Sequence, residues 1–414
     1  MGPAMNSSLG AANAATIGAK DSAKDSARDA ARDSATNAAK GTPARPSICM
    51  LNYNAWGVLA GLEGERVHIG GEEVQHVLMS RYLAGKGYQV SSLVGDFGQR
   101  AVEDIDGVTV RKTFALRAGV PGLRFFTPRM SLTWAALRAA DADVVYASCA
   151  GAMAGVVAAY CRRHRRRFVF RVASDADCAP ATVMLGNARD RALYRYGLRR
   201  ADAVLAQTRR QSALLLRHYG VRASVAGMFA DVPVSVLPFA GRSTDLLWLA
   251  NMRSMKRPEW FVEIARHACE LRCVMAGGAH PDEPALNRCV AGAAAGVPNL
   301  RFHGQVRFGA TGALFAAARV FVNTSSFEGF PNTYWQAWAN GVPVIATFDP
   351  DGVIAQHGLG VVLGDAAPAV GAARALLGSP QLWAACSARC RAYALAHCAS
   401  DVVAAPYLAA MVSA

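Results

Sequence analysis

The chain has 414 residues, 52% of them hydrophobic and 8% aromatic, with a formal net charge of +14. That length exceeds what one core usually organises, and that hydrophobic share excludes a chain disordered throughout. The positive balance calls for an acidic partner, whether a phosphorylated ligand, an anionic membrane surface or a nucleic acid, and does not choose among them.

The first 46 residues stand apart. Lys20 to Ala35 reads KDSA, KDSA, RDAA, RDSA and carries no large apolar side chain. Like charges four residues apart repel on a helix, so residues 1–46 are expected to form a disordered or transiently helical low-complexity extension. No basic start followed by a signal-type apolar stretch appears, and no uninterrupted apolar run reaches the roughly 20 residues of a membrane helix. The longest, Ala147 to Tyr160, reads as a buried helix that stops at Arg162. The ten cysteines form no CxxC pair, and Cys269/Cys273 and Cys386/Cys390 have the spacing of helix neighbours. Reduced thiols in a cytoplasmic compartment and no metal centre are the expectation.

From residue 47 the pattern is strand, loop, helix, strand. Ser47 to Asn54 is an apolar run of strand length, followed by Gly70-Gly71 and a helical pattern through Val74, Val77, Leu78, Tyr82 and Leu83 that ends at Gly85 and Gly87. Tyr88 to Leu93 reads as the next strand. Asp143 to Tyr146, Phe168 to Val172 and Ala201 to Ala206 continue the strands, with helices over Gly151 to Tyr160 and the basic Arg191 to Arg200. Such units build parallel sheets through right-handed crossovers. The pattern breaks between Pro233 and Thr244, which marks a domain boundary. Leu246 to Ala250, Arg272 to Ala276, Leu300 to His303, Val320 to Asn323 and Val342 to Ala346 are the strands of a second set. Two doubly wound α/β domains in tandem place a cleft between the carboxyl ends of their sheets.

Two surface segments keep two readings each. Arg162, Arg163, Arg165, Arg166 and Arg167 surround His164 without the aromatics of a single-strand nucleic-acid groove, and suit either anionic lipid headgroups or a solvated helix end. Ala115 to Met130, with Phe125-Phe126 between arginines, suits either a lipid-linked acceptor or core packing under a loop.

The most informative stretch is Asn323 to Thr347, NTSSFEGFPNTYWQAWANGVPVIAT. A strand enters a loop carrying Glu328 and Gly329, a helix begins near Pro331-Asn332, and Gly341-Val342-Pro343 ends it before another strand. The free N–H groups of such a helix start suit a diphosphate, and a carboxylate just ahead of it accepts hydrogen bonds from sugar hydroxyls.

This stretch resembles the signature of the retaining glycosyltransferases of family 4, a glutamate followed seven residues later by a second. EGFPN (Glu328 to Asn332) and GVPVIAT (Gly341 to Thr347) match well, while the second glutamate position falls on Gln336. LLWLANMRSMKRPEWFVEIA (Leu246 to Ala265) resembles the family's strand and lysine-bearing loop, with Lys256 at the lysine position. The family's arginine position falls on Asn251, and Arg253 or Arg257 is left to substitute for it. MAGG (Met275 to Gly278), PNLRFHG (Pro298 to Gly304), ADAVLAQT (Ala201 to Thr208) and IGGEEVQHVLMSRYLAGKGYQV (Ile69 to Val90) also resemble family positions.

The resemblance implies the GT-B fold, two Rossmann-like doubly wound domains facing each other across a cleft. Residues 47–238 would form the acceptor domain, 239–390 the nucleotide-sugar donor domain, and 391–414 a helical segment packing back on the first. It implies transfer of a sugar from a nucleoside-diphosphate donor with retention. Glu328, Lys256 and Arg253 are the catalytic candidates; Gly70, Gly71, Gly329, Phe330, Asn332, Thr333 and Gln336 are the donor-binding ones. At Gln336 an amide oxygen stands in for the carboxylate that holds ribose hydroxyls. Many relatives carry a histidine near the reacting sugar where FRVASDADC (Phe170 to Cys178) offers Ser174 and Asp175; for Asp175, capping of the following turn is the competing role. No cofactor, no metal and no nucleic acid are implied. The partners would be the donor, a carbohydrate or lipid-linked acceptor and the anionic inner face of a bacterial membrane, in cell-surface polysaccharide or lipopolysaccharide biosynthesis. The competing readings are a catalytically degenerate protein binding a nucleotide sugar or a partner subunit, motivated by Gln336 and Asn251, and a GT-B epimerase or phosphorylase.

Overall fold

The computed structural model describes residues 45–62 and 69–412. The extension expected over 1–46 lies, up to residue 44, outside the described residues.

The strands in chain order are β1 (Ile48–Leu51), β2 (Val90–Val94), β3 (Val102–Ile105), β4 (Val108–Lys112), β5 (Val144–Ser148), β6 (Arg167–Arg171), β7 (Ala203–Ala206) and β8 (Ser224–Val225), then β9 (Thr244–Leu249), β10 (Cys273–Ala276), β11 (Leu300–Phe302), β12 (Ala318–Asn323), β13 (Val344–Ala346) and β14 (Gly360–Val362). Among the described residues they form two sheets, ordered β3-β4-β2-β1-β5-β6-β7-β8 and β11-β10-β9-β12-β13-β14. Strand order reverses beside β1 in the first and beside β9 in the second, the arrangement of doubly wound α/β folds.

Pairing is parallel except between β3 and β4. This antiparallel edge hairpin departs from the all-parallel expectation. Its turn is Asp106-Gly107, both at positive φ (53° and 77°), a combination that fits a two-residue hairpin. The first strand is also shorter than the run Ser47 to Asn54 suggests. Asn52 Oδ1 accepts the Asn54 N–H at 3.0 Å and turns the chain out of the sheet into a short helix, Trp56–Leu59.

Central strands are buried on both faces, as parallel sheets require. Ile48 and Met50 of β1 join Val90, Val144 and Tyr146 in one core cluster, while Cys49 and Leu51 face the opposite cluster with Val145, Phe168 and Phe170. The second sheet alternates in the same way, with Leu247 on one side of β9 and Leu246 and Trp248 on the other. Helices Ala152–His164 and Ala188–Arg200 cross where Gly155 meets the backbone of Leu193; a Cβ there would stand 2.6 Å from the Leu193 carbonyl oxygen. Only a glycine allows that approach.

The stretch Pro380–Val412 is apolar enough, with a mean hydropathy of 1.4, to pass for a membrane span by length and composition. It comprises two helices, Pro380–His397 and Ser400–Val412. Trp383, Cys386, Cys390 and Ala394 of the first are buried, the last three of them against Trp335 and Trp338 in the core of the second sheet. Val403, Ala404, Tyr407, Ala410 and Met411 of the second enter the core of the first sheet, where Tyr407 Oη donates to the Gly227 carbonyl at 2.9 Å.

The basic cluster is partly absorbed by the fold. Arg166 pairs with Asp141 at 2.5 Å and Asp143 at 3.1 Å, and Arg167 Nε donates to the Ala410 carbonyl at 2.6 Å. Arg162, Arg163 and Arg165 remain exposed at the C-terminus of their helix, where cations suit its dipole. In the segment Ala115 to Met130, Phe125 is buried beneath the Arg189 guanidinium at 4.1 Å, whereas Phe126 is exposed.

Helix Gly71–Gly85 opens on a buried carboxylate. Glu73 accepts from its own N–H, from the Gly70 N–H and from the Asn54 side chain, yet burial outweighs these and pushes its pKa up to about 6. A folded-state pKa above the unfolded value means that the native form binds the proton more tightly. The resulting stability is fully present below about pH 4.5 and is lost as pH rises through about 6, a change of about 2 kcal/mol from this one group. In urea unfolding from about pH 4 to about pH 8, the wild-type protein should lose that increment relative to Glu73→Gln, which cannot ionise. Parallel pH profiles for the two proteins would contradict it.

Candidate active site at the cleft between the sheets

A cleft of about 360 Å³ lies between the two sheets. Its walls come from the residues that follow strands at their carboxyl ends: Ala173 and Ser174 after β6, Gln207 after β7, Ala250 and Asn251 after β9, Gly277 and Gly278 after β10, and the Glu328 loop after β12. Ligands of open α/β sheets bind at that end.

The second-sheet wall is organised by one buried junction. Arg257 donates to the carbonyls of Thr324 at 2.6 Å and Ser325 at 3.0 Å and to Thr347 Oγ1 at 2.9 Å, while its guanidinium stacks on Trp260 at 3.7 Å. Thr324 Oγ1 donates in turn to the backbone carbonyls of Lys256 (2.6 Å) and Arg257 (3.0 Å) and accepts from Trp248 Nε1 (3.0 Å). The Ser326 N–H reaches the Met255 carbonyl at 2.8 Å. Two loops separated by about 70 residues in sequence are thereby held as one unit, and each delivers one charged group to the cleft.

Those groups are Lys256 and Glu328. Lys256 Nζ forms an ion pair with Glu328 Oε1, which also accepts from Ser325 Oγ at 2.7 Å. Glu328 is buried, so its charge is held by hydrogen bonds rather than by water. Arg253 lines the same cleft with a buried, unpartnered Nε. Arg253 therefore faces the cleft, whereas Arg257 is occupied in the junction. Asn251 lines the cleft but donates through Nδ2 to the Ile69 carbonyl across it at 2.8 Å.

Helix Asn332–Ala339 begins in this wall behind Pro331, with no side-chain cap and no acidic residue in its first turn. The Tyr334 N–H is taken by the Pro331 carbonyl at 3.1 Å, so the N–H groups of Asn332 and Thr333 and the positive end of the dipole remain for an anion. Asn332 Nδ2 donates to the Gly71 carbonyl at 2.6 Å, leaving Oδ1 buried without a partner. A Cβ at Gly71 would lie 2.7 Å from Asn332 Nδ2, so a side chain there would displace that amide. Gly329 is confined in the same way by Gln207 and the Ala173 carbonyl, and the Phe330 N–H donates to Gln207 Oε1 at 2.5 Å. One turn into the helix, Gln336 Nε2 donates to Thr311 Oγ1 at 3.2 Å. The Thr311 hydroxyl proton goes to the Phe308 carbonyl (2.7 Å), so it can only accept from Gln336. The amide is therefore oriented with Oε1 as its acceptor for a ligand.

The structure brings Glu328, Lys256, Arg253, Gly70, Gly71, Gly329, Phe330, Asn332, Thr333, Gln336 and Ser174 to one cleft. Asp175 does not line it. Ser174 is the N-cap of the short 3₁₀ turn Asp175–Cys178 and forms a capping box with Asp177, and Asp175 turns away to Arg210 Nε at 3.1 Å. Sequence reasoning missed Glu72, Gln207, His280 and Thr311 as lining residues; their one shared signal is position, just after a strand or at a helix start. His280 is held below its ordinary pKa by burial first and by the Arg253 charge second, which supports its place beside that guanidinium. Among the described residues no group of three or more His, Cys, Asp or Glu side chains is placed to hold a metal ion.

Two family models match the chain, one described as Glycosyltransferase Family 4 over residues 69–226 and one described as Glycosyl transferases group 1 over residues 243–379. No curated protein matches it. Among solved structures, sucrose-phosphate synthase from Thermosynechococcus elongatus superposes with a TM-score of 0.69 at 18% identity, covering 88% of this chain and 97% of that one. HepE from Anabaena, in complex with UDP and glucose, gives 0.68 at 15% identity, covering 89% of this chain and 100% of its own. WaaG, a glycosyltransferase involved in lipopolysaccharide biosynthesis, gives 0.60 at 15% identity with coverages of 89% and 100%. The two matched regions carry the loops of both walls of the cleft, and together with the shared two-sheet architecture they identify the chain as a glycosyltransferase of the GT-B fold.

Proposed function

We propose that the enzyme is a retaining glycosyltransferase of family 4 that takes its sugar from a nucleoside-diphosphate donor. The observation that carries this reading is the juxtaposition, in one cleft, of the Lys256–Glu328 pair, the inward-facing Arg253 and the uncapped start of helix Asn332–Ala339. The diphosphate lies against that helix start, near the N–H groups of Asn332 and Thr333, with Lys256 and Arg253 alongside. Gln336 Oε1 accepts from the ribose hydroxyls. Gly70, Gly71, Gly329 and Phe330 close the pocket with backbone, and Ser174 stands beside the sugar.

In the transfer step the bond from the anomeric carbon to the β-phosphate oxygen breaks, and its electron pair stays on that oxygen. The acceptor hydroxyl bonds to the anomeric carbon on the same face and passes its proton to the departing phosphate. Charge builds on the diphosphate as the sugar becomes oxocarbenium-like. Lys256, Arg253 and the helix N–H groups stabilise the first; Glu328 orients the sugar and favours the second. These groups act by preorganised electrostatics, and no protein-bound metal or cofactor enters the proposal. The proposed setting is bacterial polysaccharide or lipopolysaccharide synthesis at the cytoplasmic face of the inner membrane; WaaG, which shares the fold, is a glycosyltransferase involved in lipopolysaccharide biosynthesis. There the exposed Arg162, Arg163 and Arg165 meet anionic headgroups, and the exposed Val120, Leu123 and Phe126 meet lipid.

Glu328→Ala should lower turnover by ~10²-fold or more, the scale of losing one preorganised group in a transition state; near-normal turnover would remove Glu328 from the site. Calorimetric titration with UDP, GDP and ADP and their sugar conjugates, without added metal, should show selective binding of one nucleotide, weakened in Lys256→Ala. Binding of none of them by the wild-type protein would overturn the reading in favour of a protein that has lost donor recognition.

A further inference from the structure

Two helix starts face the cleft, and they are electrically unlike. Helix Asn332–Ala339 has no acidic residue in its first turn, whereas helix Gly71–Gly85 has Glu72 and Glu73 there. The positive end of the second dipole is therefore already met by carboxylates, and Glu73 also takes the Gly70 N–H. Among the described residues lining the first-sheet wall, Glu72 is the one charged side chain.

Glu72 is built into place from below. Its Oε2 accepts from Arg171 Nη1 at 2.8 Å, and Arg171, at the end of β6, is fully buried. Burial works against the Arg171 charge, but Glu72 leads the neighbouring groups that raise its pKa above the ordinary value, so the guanidinium stays ionised. Glu72 Oε1 is buried with no hydrogen-bond partner, and so are Arg171 Nε and Nη2. A buried carboxylate oxygen that the protein itself leaves unpaired calls for a hydrogen-bond donor from elsewhere.

We propose that Glu72, oriented by Arg171 as a positioning residue, binds a hydroxyl of the acceptor, and that the acceptor moiety entering the cleft is an uncharged glycosyl group rather than a phosphorylated one. The assignment rests on the glycosyltransfer reading above. A hydroxyl supplies the missing donor to Oε1, whereas a fully ionised phosphate has no proton to give it. The wall opposite holds Lys256, Arg253 and the bare helix start, so the two substrates are sorted by charge across the cleft, the anionic donor on the second-sheet side and the neutral acceptor on the first.

The test uses the full chain, the nucleotide sugar it hydrolyses among UDP-glucose, GDP-mannose and ADP-glucose, and octyl hexosides paired with their 6-phosphates as acceptors. Transfer to the neutral member of a pair should exceed transfer to its phosphate by ~10-fold or more, the scale of one hydrogen bond to a charged group. Glu72→Gln should raise the KM for the neutral hexoside by ~10-fold, more than it lowers kcat, with affinity for the donor's nucleoside diphosphate retained. Arg171→Lys should shift the same KM in the same direction. Preference for the phosphorylated member, an unchanged acceptor KM in Glu72→Gln, or transfer to neither class while the donor is still hydrolysed would each overturn the assignment. The wild-type preference stands as a test even where a variant fails to fold. Absence of nucleotide binding and of donor hydrolysis in the wild-type chain would instead bring down the glycosyltransfer reading beneath it.

Discussion

The geometry of the cleft depends on Arg257. Its backbone sits in the left-handed region at φ 46°, which costs a non-glycine residue roughly 1 kcal/mol or more. Three hydrogen bonds to the 324–347 region and a stacked indole offset that cost, and the two loops bearing Lys256 and Glu328 cannot move apart without breaking them. An opposite-charge pair at the bottom of a cleft acts on a reacting centre only if its position is settled before the substrate arrives. Arg257 provides that, and its engagement there explains why Arg257, although next to Lys256 in sequence, does not itself face the cleft.

The first-sheet side is arranged differently. Its polar groups are buried rather than poised: His76 is held neutral by burial, its pKa pushed down to about 3, and Asp177 is pushed up to about 6, burial outweighing the N–H groups of Ala173 and Ser174. These groups shape the ends of β6 and of helix Gly71–Gly85. The charge presented to a ligand is correspondingly sparse on this side and dense on the other.

Much of this was legible in the sequence because the periodicities involved are strong. Runs such as ICML and VFVN are apolar on both faces and announce buried parallel strands. The EGFPN and GVPVIAT segments placed Glu328, Asn332 and Gln336 correctly on a loop and a helix start. What escaped was decided by contacts between distant residues. Asp106-Gly107 is a local turn signal for the β3–β4 hairpin, yet the strands around it, the half-exposed VEDI above all, lack a continuous apolar run. Spacing alone could not separate Arg253 from Arg257, because the outcome depends on where Thr324 and Thr347 lie in space. Asp175 read equally as a cap or as a site residue; the cap fell to Ser174 and Asp177, and Arg210, the second residue of helix Arg209–Tyr219, drew the carboxylate away. Neither Glu72 nor Glu73 drew notice, since nothing local tells which of two adjacent carboxylates meets a buried arginine.

The two walls touch through side chains of one half reaching backbone atoms of the other: Asn332 to the Gly71 carbonyl, Asn251 to the Ile69 carbonyl, Gln207 to the Phe330 N–H, and Asp351 to the N–H groups of Arg209 and Arg210. Backbone groups are present whatever residue occupies a position. At Ile69, Arg209 and Arg210 the side chain can therefore change without removing the bond that joins the halves, while Gly329 is held to glycine by the Ala173 carbonyl, 2.4 Å from where a Cβ would stand. A fold fastened in this way tolerates changes of side chain along the seam between its halves, at Ile69 even on the cleft wall itself, without losing the bonds that join them.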